Sequence, residues 1–82
     1  MSEVGICLVV IMPGEYSSIM QMILNNSSPG TFTDTESYEK HGHIEYRYEI
    51  YCKDSEVDNL ISKIKASAPL IDPEFEILPY VS

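Results

Sequence analysis

The chain has 82 residues, with 44% hydrophobic and 22% charged side chains, ordinary globular proportions that exclude a disordered chain and leave room for one domain spanning 1–82. Its 13 Asp and Glu against 5 Lys and Arg give a net charge of −8. That imbalance excludes the basic patch that nucleic acids and anionic membranes require, and it leaves basic partners, divalent cations, or acidity that serves solubility alone.

The first element is Val4–Met12, VGICLVVIM, apolar at odd and even positions alike, as in a strand buried on both faces. Its acidic lead, Met1-Ser2-Glu3, is not the basic region of a signal peptide, and no run reaches the roughly 18 apolar residues of a membrane span. The expectation is a soluble, cytoplasmic protein. Pro13-Gly14 stops the strand, and the period then changes. Tyr16, Ile19, Met20, Ile23 and Leu24 fall on one stripe of a short helix. The turn-forming run Asn25-Asn26-Ser27-Ser28-Pro29-Gly30 ends it.

Thr31–Glu39, rich in Thr with Phe32 and Tyr38, reads as a second strand. Lys40-His41-Gly42 makes a hairpin turn into His43–Lys53, the clearest strand of the chain. Ile44, Tyr46, Tyr48, Ile50 and Cys52 share one parity, and His43, Glu45, Arg47 and Glu49 the other. Asp54-Ser55 is expected to cap a second helix, Ser55 accepting from the backbone N–H of Asp58. Its buried stripe is Val57, Leu60, Ile61, Ile64 and Ala68, and Pro69 ends it. Phe75–Val81 is the last strand, and Pro79 places it at an edge.

The β-α-β-β-α-β order predicts an α+β ferredoxin-like sandwich, a four-stranded antiparallel sheet of order 4-1-3-2 with two helices on one face and a long hairpin between the second and third strands. Nothing in the chain covers the other face, where Cys7, Val9 and Ile11 would lie beside Glu45, Arg47 and Glu49. An open, partly apolar face on a domain this small calls for a second copy or a partner. Strands of about ten residues reach roughly 33 Å, whereas helices of eleven or twelve span about 18 Å. Part of the hairpin should therefore overhang and pack on neighbouring subunits. The predicted oligomer interface is Cys7, Val9, Ile11, Tyr38, Arg47 and Glu49.

At this point the chain resembles the CutA family, with the ferredoxin-like fold of the wider PII-like group. Glu36-Ser37-Tyr38, Gly42-His43-Ile44-Glu45, Glu49-Ile50 and Lys53 are similar to that family's E-S-x-Y … G-K-I-E … E … K-T hairpin. Pro69, Pro73-Glu74 and Ile77-Leu78-Pro79 are similar to its H-P-Y-E-x-P-E-I … A-L-P ending. The family's A-A-C-V-N stretch has shrunk here to Asn25–Thr31 without a Cys, its His before Pro is Ala68, and its Tyr-Glu is Leu70-Ile71. The resemblance covers about fifty residues. It implies a homotrimer whose hairpins wrap adjacent subunits, with a regulatory, signalling or metal-tolerance role.

Among candidate chemistries, His41 and His43 form an H-x-H pair that alternation would put on one side, and Glu39 or Glu45 could complete a weak Zn or Cu site. A solvated hairpin end accounts for the same residues. The set carried forward for a metal is His41, His43 and Glu45. Cys7 and Cys52 lie on strands of opposite parity and are expected as buried free thiols that cannot pair. His41 and Cys52 occupy opposite ends of one strand, too far apart for a nucleophile pair. Glu36, Glu39, Glu45 and Glu49 could supply acid–base carboxylates, but Arg47 between Glu45 and Glu49 reads as ion pairing. Tyr46, Tyr48 and Tyr51 could be a stacking platform. Tyr46 and Tyr48, however, share the parity of Ile44 and Ile50 and read as core. With no catalytic set within one chain and no required cofactor, two readings stand ahead of a third, an enzyme built from residues of several subunits. One is a CutA/PII-like oligomer that binds a small ligand or metal between subunits without catalysis. The other is an acidic module or inhibitor for a basic protein surface.

Overall fold

The computed structural model describes residues 4–27 and 31–81. The acidic lead at 1–3 and the Ser28-Pro29-Gly30 part of the expected turn lie outside the described residues. The strands are β1 (Val4–Pro13), β2 (Phe32–Lys40), β3 (His43–Cys52) and β4 (Glu74–Val81), and the helices are α1 (Ser17–Asn25) and α2 (Val57–Ser67). They form one antiparallel sheet of order β2-β3-β1-β4, the expected ferredoxin-like arrangement read from its other edge.

β1 pairs with β3 from Ile6↔Cys52 to Pro13↔Glu45, and with β4 from Val4↔Val81 to Ile11↔Glu74. Being central, it must be apolar on both sides. Leu8, Val10 and Met12 face the helices and are essentially fully buried. They meet Tyr48, Ile50 and Cys52 of β3, Met20 and Ile23 of α1, and Val57, Leu60 and Ile64 of α2 in one core cluster. Pro79 sits on β4, which is paired on one side only. An edge strand is where a sheet accommodates a residue without an N–H.

Both helices begin differently from the expectation. α1 follows a single 3-10 turn over Gly14–Tyr16, and α2 one over Asp54–Glu56. No side chain caps α2: Ser55 lies inside the 3-10 turn, and the backbone N–H of Glu56 donates to the Lys53 carbonyl instead, at 2.9 Å. A tight turn closed by backbone hydrogen bonds thus takes the place of the side-chain cap. α2 ends as Pro69 requires: Ala68 leaves the helical region at φ −132°, ψ 62°.

The hairpin turn is the two residues His41 and Gly42, with φ of 52° and 79°, the left-handed pair that a type I′ loop demands. The overhang is shorter than helix length alone suggests. Because β1 accompanies β3 as far as Glu45, only the tip beyond that pair lacks a third strand. The Gly14–Tyr16 turn also extends the covering layer past α1. A Cβ on Gly14 would stand 3.1 Å from the Ile44 carbonyl oxygen and 3.3 Å from Cε2 of Tyr46, so any other residue would have to push this turn and β3 apart by a few tenths of an ångström.

Truncating Ile64, which is fully buried, to Ala should lower the unfolding free energy by about 2–5 kcal/mol in urea titrations. Met22→Ala, at a position 64% exposed, should stay within about 0.5 kcal/mol.

Candidate functional site

Strand alternation divides the sheet's side chains between two unlike faces. On the face away from the helices, rows run across the strands as Asp34–Glu49–Val9–Glu76 and Glu36–Arg47–Ile11–Glu74, with Tyr51, Cys7 and Leu78 in the next row. The open-face neighbours expected from sequence, Cys7, Val9 and Ile11 beside Glu45, Arg47 and Glu49, are therefore brought together. Cys7, as expected of a buried thiol, and Val9 are only 5% and 2% exposed, because these short side chains stand between the long ones of β3 and β4. Ile11 and Tyr38 are half-buried, and Leu78 is an exposed apolar residue of this face. Its rim is acidic: Asp34, Glu36, Glu45, Glu49, Glu74 and Glu76 outnumber the cations Arg47 and, at the hairpin tip, Lys40.

Arg47, Glu49 and Tyr51 follow one another at two-residue spacing along β3. Nη1 of Arg47 donates to Oε1 of Glu49 at 2.6 Å, and the Tyr51 hydroxyl donates to Oε2 at 2.9 Å. The pairing expected of Arg47 is thus made with Glu49, and Glu36 adds to the field across the strand. Tyr51 and then Arg47 hold the Glu49 carboxyl below its ordinary range, whereas the bond to Glu49 pushes Tyr51 up to about 12. A carboxylate held ionised in this way is poorly suited to donate a proton near neutral pH.

Both cysteines are buried free thiols on opposite faces, as expected. Burial first, then Glu49, raises the thiol of Cys7 against the opposing influence of Tyr51 and Arg47. Burial first, then Glu56, Cys7 and Asp54, raises that of Cys52. Protonated thiols are weak nucleophiles.

The H-x-H pair does not form as alternation implied. His41 is in the turn with positive φ, outside the strand, so its side does not follow from the parity of His43. His43 and Glu45 do share a parity, whereas Glu39, opposite Ile44, belongs to the other. Among the described residues no three His, Cys, Asp or Glu converge to hold a metal ion.

The helix-facing side of the hairpin carries features that sequence reasoning missed. A groove of about 500 Å³ runs between α1 and β2, lined by Ser17, Gln21, Leu24 and Asn25 on one side and Thr31, Thr33 and Thr35 on the other, with Tyr46 and Tyr48 at its base. The two tyrosine rings lie 6.1 Å apart, tilted by 40°. A second concavity of about 760 Å³ lies under the hairpin tip, between Pro13–Glu15 and Gly42–Tyr46. The Thr alternation at 31, 33 and 35 was the available signal. It could be read as strand propensity alone, since only the tertiary structure sets α1 back from the edge strand.

No known protein family matches the sequence, and no curated protein is similar to it. Solved structures are similar in fold. CPII, a nitrogen regulatory PII-like protein from Thiomonas intermedia bound to ADP, AMP and bicarbonate, superposes with a TM-score of 0.76 at 12% identity, over 100% of this chain and 96% of that one. A putative PII-like signalling protein from Thermus thermophilus gives 0.77 at 6% identity, over 99% and 90%. A DUF3240 family protein from Shewanella baltica gives 0.74 at 14%, over 93% and 89%. The chain thus has the ferredoxin-like fold that these PII-like proteins share. No helix among the described residues is long and apolar enough to cross a membrane.

The Glu49–Tyr51 bond stabilises the folded state across the middle of the pH scale and is lost at both ends. The Glu49 contribution is present above the ordinary carboxylate range and is lost as pH falls through its lowered folded value. The Tyr51 contribution is complete below pH 10.0 and is lost as pH rises through about 12. An NMR titration should find Tyr51 ionising near pH 12. Glu49→Ala should return it towards 10.0 and flatten the acid limb of a stability–pH profile.

Proposed function

We propose that the chain is a CutA- and PII-like regulatory protein of the cytoplasm, one domain over 1–82, that assembles as a homotrimer and binds a small ligand between subunits without catalysing a reaction. The observation that carries this reading is the pair of open concavities flanking the hairpin, one beside the free edge of β2 and one beneath the tip. Each lacks a wall where a second subunit would supply one. The ADP, AMP and bicarbonate in the similar CPII structure support a small-molecule ligand. The interface runs through Cys7, Val9, Ile11, Tyr38, Arg47 and Glu49, with the hairpin tip reaching a neighbour. Because the acids rimming this face repel one another between copies, assembly should tighten with added salt.

A divalent metal such as Cu or Zn is the second ligand class, at His41, His43 and Glu45. In one chain these residues supply too few converging donors, so a ligand from an adjacent hairpin would complete the set. The alternative to assembly, docking on a basic surface of a larger protein, draws on the same acidic rim.

Light scattering on the eluting protein should give about three times the 9.3 kDa chain mass. A monomer at micromolar concentration would remove the trimer and leave the docking reading. In calorimetric titrations with Zn²⁺ or Cu²⁺, the His41→Ala/His43→Ala double variant should bind at least tenfold more weakly than the parent. Equal affinities would end the metal assignment.

A further inference from the structure

We propose that the groove between α1 and β2 takes an uncharged compound with a planar, multiply hydrogen-bonding heterocyclic ring, of the nucleoside type, recognised through that ring and not through a phosphate. This names the ligand class for the small-molecule reading above and rests on it. The argument begins with charge. No Asp, Glu, Lys, Arg or His lines the groove among the described residues. Of the chain's 5 basic residues, Arg47 lies on the opposite face in its bond to Glu49. Lys65 stands over the Phe75 ring at 5.8 Å. Lys40, Lys53 and Lys63 are outside the lining. A phosphate would leave water for a groove to which this chain brings no compensating cation, on a chain of net charge −8.

What the lining does offer is neutral and two-signed. Gln21 and Asn25 each present an amide that donates and accepts, and the hydroxyls of Thr33, Thr35, Tyr46 and Tyr48 do both. None of these side chains makes a hydrogen bond to another described residue. Tyr48 is the informative one. Its ring is 5% exposed in the core, yet no buried side-chain oxygen or nitrogen among the described residues lacks a partner. Its hydroxyl therefore reaches accessible space, and the groove is the space it lines. Burial, then Tyr46, raises its pKa, which keeps it a donor. Groups that both donate and accept, beside the part-exposed Tyr46, match the edge and face of a heterocycle, and about 500 Å³ is within the usual size of a small-molecule site.

The test is calorimetric titration of the intact protein with adenosine, AMP and ADP at low and high salt, repeated with Tyr48→Phe and Thr33→Val. Both substitutions keep side-chain volume, and near-UV circular dichroism checks the fold. Adenosine should bind at least as tightly as ADP, with little salt dependence, and each variant should weaken it roughly three- to tenfold. ADP binding tenfold tighter than adenosine, with a steep loss in salt, would overturn the proposal, as would unchanged affinity in both variants. Absence of heat with all three compounds would overturn it too, while leaving the trimer to its own light-scattering test. A monomer that binds adenosine through Tyr48 would keep this site and remove the inter-subunit reading.

Discussion

The pairing of β1 with β3 on one side and β4 on the other is the constraint on which the structure depends. A strand hydrogen-bonded along both edges satisfies its backbone inside the sheet, so its side chains alone decide what may lie above and below. Leu8, Val10 and Met12 close the helix layer, while Cys7 and Val9 form the spine of the opposite face. Every later feature takes its position from this register: which tyrosines enter the core, where the Arg47–Glu49–Tyr51 chain runs, and how far the hairpin is supported.

The two faces have been given different chemistry. The helix side is neutral throughout its groove, with hydroxyls and amides above an aromatic base. The open side gathers carboxylates around two shielded apolar residues.

Period-2 alternation was strong enough in β3 to sort Tyr46 and Tyr48 from Arg47 and Glu49 before any coordinates, and the doubly apolar run marked β1 as central. Pro69 and Pro79 acted where their backbone limits require. Local patterns misled where a competing backbone solution existed. Ser55 looked like a cap but lies in a 3-10 turn. His41 looked like a strand residue but sits in a two-residue loop with positive φ. Parity put Val9 on the open face but did not show that it is buried there, because parity tells which face a side chain is on, not how tall its neighbours on adjacent strands are.

By itself the sequence determined the order of elements, the sheet topology and the sorting of residues between faces, since hydrophobic period, proline and glycine act through the local backbone and follow directly from residue type. It also determined the charge that disfavours anionic partners. Only the tertiary structure decided that β1 supports the hairpin almost to its tip, that the Gly14 turn packs under Ile44 and Tyr46, and that a neutral groove opens between α1 and β2. Those features depend on the register and spacing of segments far apart in the chain, which no local pattern encodes.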